Sequence, residues 1–210
     1  MKVALIRHTA TEASAERRLL GSELDQPLSV EGNREASVIA KTLAKRYAGR
    51  STVRGAIAAS PLKRATQTAS QIHDRLVGWN LRSFWGLRER HFGDWTGRNL
   101  EDVCLENAES AARFRGDPLS VTPRGGEMTV DFVERVLGAW TAALDWAADK
   151  DVLLVVTHDG PIRVLLRELG HVDATDVPVF GITTGATYWL RYHRGGWKLS
   201  GDQSDPLWTS

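Results

Sequence analysis

The stretch Lys2-Val3-Ala4-Leu5-Ile6-Arg7-His8-Thr9 is the part of this sequence around which the rest is interpreted. Its four consecutive apolar residues, two of them β-branched, predict a short strand that is buried on both faces. The strand ends on Arg7 and His8, a poor choice for a buried strand tip unless an anion binds there. An arginine fork matches a phosphate or a carboxylate, and a neutral imidazole beside it can attack phosphorus. The same pair also fits an ordinary strand end with solvated charges, because short motifs are weak evidence.

The bulk composition indicates one globular domain over residues 1–210, because 42% hydrophobic and 25% charged residues are ordinary for a soluble domain. The 27 basic and 26 acidic side chains nearly cancel, so no overall field attracts nucleic acid or an anionic membrane. No apolar run approaches the roughly 20 residues that span a bilayer. We therefore expect neither nucleic acid nor a membrane as a partner. The single cysteine, Cys104, excludes an internal disulfide and favours a reducing cytoplasm.

Hydrophobic periodicity predicts strands and helices that alternate along the chain. The predicted strands after the first are residues 55–59, 81–85 and 152–156, with a closing hairpin of 185–192 and 196–200. The predicted helices are 31–48, a segment capped by Ser60-Pro61, 98–114, 127–148, and 161–169 ending near Gly170. A long loop is expected over 9–30. This order favours an α/β fold with three layers, α/β/α, around a mostly parallel central sheet.

Three predicted strand ends carry residues that are suited to an anion. Arg7-His8 follows the first strand, Arg64 lies one turn into the helix after the second, and His158-Asp159-Gly160 follows the most apolar strand. Because ligands in open α/β sheets bind at the carboxyl ends of strands, these groups are expected to converge. Two arginines and two histidines at one place would repel one another without an anion between them. Taken singly, Arg64 could equally be a solvated residue on the helix surface, and His158 could equally be a hydrogen-bonded histidine of the core.

Five blocks of the sequence resemble the histidine phosphatase superfamily, which includes the cofactor-dependent phosphoglycerate mutases. In chain order the blocks are residues 5–11 (LIRHTAT), 21–32 (GSELDQPLSVEG), 60–69 (SPLKRATQTA), 87–97 (LRERHFGDWTG) and 157–160 (THDG). They stand in the order of the family and span nearly the whole chain. The resemblance implies a phosphoglycerate mutase-like fold and an enzyme that uses neither a metal nor a cofactor.

Position by position, the resemblance makes His8 a nucleophile that forms a phosphohistidine. It implies that Arg7, Arg64 and His158 hold the phosphoryl oxygens and that Glu89 is the proton donor. The physical chemistry agrees, because a histidine with a pKa of about 6.5 is partly neutral at neutral pH and needs no strong base. Phosphoryl transfer is mainly a matter of positioning and charge stabilisation, which two guanidinium groups and an imidazolium supply. Glu89 must then stay protonated to a higher pH than a free glutamate.

Two positions depart from the family pattern, and one assignment has an ordinary alternative. Thr9 stands where the family has the glycine after the nucleophile, and its hydroxyl either contacts the phosphate or only packs. Ser14 stands where the mutases and many phosphatases have an asparagine, and its shorter side chain still donates one hydrogen bond. Both are expected to contact the substrate. From the residues alone, Glu89 also fits a surface carboxylate that pairs with Arg88 or Arg90.

The sequence favours a phosphomonoesterase over a mutase. Family mutases have a polar residue just before the glycine at position 21, whereas this chain has Leu20. They also carry extra arginines in a longer middle segment, whereas the short segment here offers no adjacent pair and only Arg98, Arg113, Arg115 and Arg124. The triplet Glu89-Arg90-His91 is the one mutase-like feature. A mutase is the alternative, followed by a catalytically silent relative that only binds phosphorylated ligands.

The expected substrate is a small-molecule phosphate ester held in a pocket with an aromatic, partly apolar rim. The rim is predicted from Leu20, Trp85, Phe92, Trp95 and the segment 98–124, with Gly21 and Asp159 as further substrate contacts. Such a rim suggests a substrate less polar than phosphoglycerate, of the nucleoside-like, sugar or secondary-metabolite kind. The sequence leaves the oligomeric state open, a homodimer being one option.

Overall fold

The computed structural model describes residues 1–50, 52–169 and 182–199. Its strands are β1 (Lys2–Arg7), β2 (Gly55–Ala59), β3 (Asn80–Ser83), β4 (Val152–Thr157), β5 (Thr187–His193) and β6 (Gly196–Leu199). Its α-helices are α1 (Glu12–Ala15), α2 (Val30–Tyr47), α3 (Lys63–His73), α4 (Leu100–Glu106), α5 (Ala108–Gly116), α6 (Thr129–Trp146) and α7 (Asp159–Glu168). Two 3-10 turns, Trp85–Leu87 and Gly93–Trp95, lie between β3 and α4.

The six strands form one sheet in the order β3-β2-β4-β1-β5-β6. Strands β1 to β4 are mutually parallel, whereas β5 runs antiparallel to β1 and forms a hairpin with β6. The register places Arg7 opposite Thr157 and Ala59 opposite Val156, so β1, β4 and β2 end at the same level. The mostly parallel sheet is confirmed, and its carboxyl edge brings the three predicted strand ends together.

Helices cover the sheet on both faces. Val3 and Leu5 of β1 pack against α6 and α7, whereas Ala4 and Ile6 pack against α2 and α3. Every residue of β4 is buried, which explains why its sequence is apolar without alternation. The structure therefore confirms the predicted three-layer α/β/α architecture.

A smaller apolar cluster lies apart from the two that cover the sheet. It joins α4 and α5 to the second 3-10 turn, through buried side chains that include Trp95, Val103 and Phe114. The ring centroids of Trp95 and Phe114 are 5.4 Å apart in an edge-to-face arrangement. This unit forms one wall of the site described below. No helix in the described ranges has the length and apolar character that crossing a membrane requires.

The start of α3 was predicted incorrectly. The helix begins at Lys63, so Ser60 is not its N-cap and Pro61 is not its first residue. The hydroxyl of Ser60 instead lies 2.7 Å from Nε2 of His158. The N–H group at the helix start finds its acceptor in a distant part of the chain. The backbone N–H of Lys63 donates to the Asp25 carboxylate at 2.6 Å. Ser60 therefore belongs to the site and not to helix capping.

Other boundaries differ because of local capping residues. The predicted helix 98–114 is two helices, since Asn107 ends α4 and accepts a hydrogen bond at 3.0 Å from the N–H of Ser110 in α5. The predicted loop 9–30 contains the single turn α1. Helix α7 starts at Asp159, and Pro161 fits its first turn, where no N–H is needed. The predicted helix end near Gly170 and the strand end at residue 200 lie outside the described residues.

Candidate active site

The carboxyl edge of the sheet opens into a cavity of about 320 Å³. Four residues predicted to carry the chemistry line it, namely Arg7, His8, Arg64 and Glu89. They come from the end of β1, the first turn of α3 and the segment after the first 3-10 turn. The structure therefore brings together side chains that are up to 82 positions apart in the chain.

His8 is held in the tautomer that a nucleophile needs. Only 3% of the residue is exposed, and its Nδ1 lies 2.8 Å from the carbonyl oxygen of Thr9. Because a carbonyl only accepts, Nδ1 carries the proton and Nε2 keeps its lone pair. Burial, with the positive charges of Arg64 and Arg7, lowers the pKa of His8 well below its ordinary value. The ring is therefore neutral at neutral pH.

Arg64 is a buried guanidinium whose position is set by neutral acceptors. It donates from Nη2 to the carbonyl of Gly21 at 2.8 Å and from Nη1 to that of Leu24 at 3.1 Å. Its Nε donates to Nδ1 of His158 at 3.2 Å. Gly21 has a φ of +61°, which favours glycine, and an added Cβ would lie 3.1 Å from the carbonyl of Arg90. No carboxylate forms an ion pair with Arg64 in the described part of the chain, so its charge is available to a ligand.

His158 lies directly behind His8, with ring centroids 5.0 Å apart. It is fully buried, and both of its nitrogens have protein partners, since Nδ1 accepts from Arg64 and Nε2 donates to Ser60. Burial, followed by the charge of Arg64, lowers the pKa of His158 well below its ordinary value. The ring does not line the cavity, so the direct contact with a phosphoryl oxygen that the resemblance implies stays a prediction.

Arg7 faces the cavity from the end of β1. Its Nη1 donates to the carbonyl of Ile182 and lies 3.7 Å from the Asp159 carboxylate. Asp159 is bound more tightly by Arg163, one turn further along α7. The Nε of Arg7 is buried and has no hydrogen-bond partner within the three described ranges. A buried donor without a partner is costly, so an anion in the cavity would stabilise it.

Glu89 is buried beside the cavity and only 8% exposed. Burial raises the pKa of its carboxyl, an effect that the N–H of Arg90 opposes by donating a hydrogen bond at 2.9 Å. The N–H of Gly160 donates to the other oxygen at 3.3 Å. The raised pKa is the property expected of a general acid. The sequence-level alternative, a surface carboxylate paired with Arg88 or Arg90, does not describe this buried position.

Two further arginines hold the backbone around Glu89. Arg135 donates to the carbonyls of Gly86 at 2.8 Å and of Glu89 at 3.0 Å, and pairs with the Glu127 carboxylate. Arg90 turns away from the cavity and is almost fully buried. It donates to five acceptors, namely the carbonyls of Pro118, Val121 and Glu127 and the hydroxyls of Thr122 and Thr129. The mutase-like triplet at 89–91 thus contributes a structural arginine here.

Thr9 does not line the cavity, so its predicted contact with the substrate stays a prediction. Thr9 is fully buried, and both its N–H and its hydroxyl lie 3.2 Å from the hydroxyl of Thr68. Thr68 in turn donates to the carbonyl of Arg64 at 2.8 Å. The backbone of Thr9 is outside the left-handed region, so glycine is not required. Thr9 therefore connects the nucleophile to the helix that carries Arg64.

The remaining predicted contacts are divided between the cavity and the core. Ser14, Leu20, Gly21, Asp159 and Phe92 line the cavity, and the segment 98–124 contributes Phe114 and Pro118. Ser14 is also engaged by its own turn, because its hydroxyl donates to the carbonyl of Thr11 at 2.9 Å. Trp85 and Trp95 do not line the cavity, which corrects their assignment to the rim. Trp85 is 68% exposed beneath the guanidinium of Arg88, and Trp95 is packed in the apolar cluster with Phe114.

Several cavity residues were missed by sequence reasoning. They are Arg17, Arg18, Leu19, Arg163, Thr183 and Thr184. Adjacent arginines in the loop after the nucleophile were the available signal for positions 17 and 18. Arg163 was detectable as a basic residue one turn after Asp159, on a helix that starts at the site. In the described ranges, no three His, Cys, Asp or Glu side chains are grouped so that they could hold a metal ion.

The fold and the arrangement of Arg7, His8, Arg64 and Glu89 define a class of protein. The chain belongs to the histidine phosphatase superfamily, whose branch 1 model matches residues 3–203. The glucosyl-3-phosphoglycerate phosphatase of Mycobacterium tuberculosis is 28% identical over 99% of this chain and 91% of the relative. The adenosylcobalamin/alpha-ribazole phosphatase of Salmonella typhimurium is 30% identical over 88% of this chain and 87% of the relative.

Solved structures agree with the sequence relatives. The native mycobacterial glucosyl-3-phosphoglycerate phosphatase superposes with a TM-score of 0.77 at 27% identity, covering 95% of this chain and 96% of that chain. The predictions of a phosphoglycerate mutase-like fold and of a phosphatase enzyme are thereby confirmed. Mutases of the family are also among the relatives, at 26% identity, so the mutase alternative remains the weaker one.

Proposed function

We propose that this phosphatase hydrolyses a small-molecule phosphate monoester through a phosphohistidine formed on Nε2 of His8. One observation carries the proposal: a buried, neutral imidazole with its Nδ1 proton fixed on Thr9 lines a cavity between two guanidinium groups. A phosphoryl group is the ligand that suits a neutral nucleophile surrounded by positive charge. Arg7 adds a buried donor without a partner in the described chain.

The reaction has two steps. In the first, Nε2 of His8 forms a bond to phosphorus while the bond to the ester oxygen breaks, and Glu89 gives its proton to the departing alkoxide. Arg7 and Arg64 stabilise the charge on the phosphoryl oxygens. In the second, Glu89 takes a proton from water as the water oxygen attacks phosphorus. The N–P bond breaks, inorganic phosphate leaves, and His8 and Glu89 return to their initial states.

His158 is proposed to act on the same phosphoryl group, either directly or by orienting Arg64. Its hydrogen bond from Nε of Arg64 supports the second role in this arrangement. Asp159, Ser14, Leu20 and Gly21 are proposed to bound the substrate site, which they line.

Hydrolysis is favoured over mutase activity by the composition of the cavity. Leu20 offers no polar side chain at the position where family mutases have one, and none of the middle-segment arginines lines the cavity. Three of them bind protein groups instead, Arg98 to Glu106, Arg113 to the carbonyl of Ser120, and Arg124 to Asp94. A silent phosphate-binding relative is disfavoured because a binder has no need of a buried general acid beside a nucleophile.

The proposal also covers the cellular location and the partners of the enzyme. We propose a cytoplasmic enzyme that acts without nucleic acid or membrane partners, as the balanced charge and the single unpaired cysteine, Cys104, support. The relatives named above as phosphatases support a small-molecule ester as substrate.

The proposal is tested by turnover of 4-nitrophenyl phosphate. The wild-type protein should release nitrophenol, and His8→Ala should lose at least about 10³-fold in kcat, because the nucleophile is gone. His193→Ala, which changes an exposed histidine in β5, is the matched control and should keep full activity. Full activity in His8→Ala would overturn the mechanism. Conversion of 3-phosphoglycerate, primed with a bisphosphate, to 2-phosphoglycerate without phosphate release would identify a mutase.

A further inference from the structure

The cavity holds more positive charge than a phosphoryl group needs. Its lining includes two carboxylates, Glu89 and Asp159, and the five arginines Arg7, Arg17, Arg18, Arg64 and Arg163. Burial favours the neutral form of Glu89. A phosphate monoester brings at most two negative charges, which the guanidinium groups of Arg7 and Arg64 beside His8 can balance. The other three arginines therefore have to be accounted for separately.

Two of these three arginines have protein partners. Arg163 forms an ion pair with Asp159. Arg18 donates to the Glu16 carboxylate at 2.6 Å and to the carbonyl of Gly97 at 3.1 Å. Arg17 is different, because its side chain has no hydrogen bond and no ion pair with any residue in the ranges 1–50, 52–169 and 182–199. One uncompensated cation therefore faces the cavity from the loop after α1.

The backbone at Arg17 is unusual as well. Its φ is +55°, in the left-handed region that residues with a Cβ rarely adopt. The positive φ belongs to the Schellman motif that ends α1, in which the Arg17 N–H donates to the carbonyl of Ser14 and the Arg18 N–H donates to the carbonyl of Ala13. The turn that ends α1 therefore places Arg17 among the residues that line the cavity.

The cavity also has an apolar part. Its apolar lining residues are Leu19, Leu20, Phe92, Phe114 and Pro118. These side chains offer no hydrogen-bond partner to a sugar hydroxyl, whereas they suit a carbon skeleton. The cavity of about 320 Å³ leaves room for such a skeleton beyond the phosphoryl group. It thus combines a phosphoryl site, an apolar wall and one free cation.

We propose that Arg17 is a specificity-determining residue that binds a second anionic group, a carboxylate or a phosphate, on the leaving-group part of the substrate. The substrate class is then a phosphate monoester whose alcohol carries an apolar body and a second negative charge. This inference rests on the proposed hydrolysis at His8 and deepens it. It also revises the sequence-based expectation of a less polar substrate, because the same cavity is lined by apolar residues and by an unpaired cation.

The test compares two esters that differ only in the second charge, 4-carboxyphenyl phosphate and 4-carbamoylphenyl phosphate. The measured quantity is the ratio of their kcat/KM values, so that any general effect on catalysis cancels. In Arg17→Asn, which removes the charge but tolerates the left-handed backbone, the preference for the carboxylate should fall about five- to tenfold. Arg17→Lys should retain most of the preference. Added salt should weaken the preference in the wild-type protein more than in Arg17→Asn.

The control is Arg194→Asn, since Arg194 is also an exposed arginine with positive φ, at +49°, but lies in the β5–β6 turn away from the cavity lining. The ratio should be unchanged in this variant. An unchanged ratio in Arg17→Asn, or an equal fall in both arginine variants, would overturn the role of Arg17 while leaving hydrolysis intact. Absence of turnover of both esters by the wild-type protein would overturn the proposed hydrolysis itself.

Discussion

The burial of the Glu89 carboxyl group bears directly on its proposed role as proton donor. Burial raises the pKa of Glu89, so the group keeps its proton to higher pH than an exposed glutamate does. In the proposed mechanism the protonated form is the active one. The rate of the first step should therefore fall as the pH rises through the raised pKa of Glu89.

Glu89→Gln should remove this pH dependence together with most of the activity. With an alkyl phosphate, whose leaving group needs a proton, kcat should fall by about 10²- to 10⁴-fold. With 4-nitrophenyl phosphate the loss should be smaller, because nitrophenolate leaves without a proton. The measurement is kcat against pH for both substrates. Glu109→Gln, at an exposed position of α5, is the control. A basic limb that survives in Glu89→Gln would show that another group supplies the proton.

At the level of single residues, the sequence predicted charged groups better than it predicted hydroxyl groups. Arg7 and Arg64 were found because strand ends and family blocks both pointed to them, whereas Glu89 was found through its family block alone. The packing of Thr9 was not predictable, because a sequence does not show that its hydroxyl and N–H meet Thr68, 59 positions away. Arg17 was missed because its one signal, the adjacent arginines at 17 and 18, is also typical of a solvated loop.

At the level of elements, the first turn of α7 is packed directly against the general acid. The N–H of Gly160 donates to Glu89, and a Cβ added at Gly160 would lie 2.3 Å from Oε1 of Glu89 and 3.0 Å from Cζ of Phe132. No side chain larger than hydrogen fits there unless the carboxyl group moves. The glycine therefore keeps helix α7 and Glu89 at their observed separation.

Gly160→Ala should lower kcat by roughly 10²-fold or more, because displacement of a catalytic group by about 1 Å has effects of this size. Steady-state kinetics and a thermal melt of the same sample would measure it. The matched control is Gly138→Ala in α6, where an added Cβ meets nothing within 4 Å. That variant should keep its activity and gain about 0.5–1 kcal/mol of stability, as glycine in a helix interior does on becoming alanine. Equal activity in the two variants would contradict the packing account.

The strands and helices were largely predictable, whereas their ends were not. Runs of apolar residues predicted β1, β2 and β4, and apolar residues at helical spacing predicted α2 and α6. The Ser60-Pro61 pair resembled a cap, but tertiary contacts with His158 and a cap supplied by Asp25 decided that boundary. The break at Asn107 was overlooked because a capping asparagine inside an amphipathic pattern is easily taken for an exposed helix residue.

At the level of the whole molecule, burying His8 and His158 makes stability depend on pH. Both have pKa values well below the unfolded value of about 6.5, so below that pH the unfolded chain binds protons that the folded protein does not. Folding is then penalised as the pH falls below about 6.5. Glu89 acts in the opposite direction, because its raised pKa makes the folded state bind the extra proton.

The free energy of unfolding should fall by up to about 1.4 kcal/mol per histidine for each pH unit below 6.5, less the contribution of Glu89. Urea titrations at pH 7.5, 6.5 and 5.5 would measure this slope. In His158→Gln the slope of the unfolding free energy against pH should decrease by up to about 1.4 kcal/mol per pH unit, whatever the stability of the variant at pH 7.5. A slope that is the same in the variant and in the wild-type protein would mean that His158 is protonated in the folded state.

The overall architecture was predictable because it depends on the hydrophobic pattern of many residues. The substrate site was less predictable because it depends on a few contacts between distant segments. The strand order β3-β2-β4-β1 brings Arg7, Arg64 and His158 to one edge, as the alternation of strands and helices predicted. The wall formed by α4 and α5 could not be placed, because nothing in its sequence states which of its aromatic residues face the cavity.

The central claim is that phosphate passes through His8, and trapping the phosphoenzyme tests it most directly. The wild-type protein would be mixed with a ³²P-labelled phosphate ester, quenched in alkali within one turnover, digested and mapped. The account predicts a label that is stable in alkali, labile in acid and located on His8, and that is absent from His8→Ala. Hydrolysis at the full rate without a phosphoenzyme, or a label on any other residue, would contradict it.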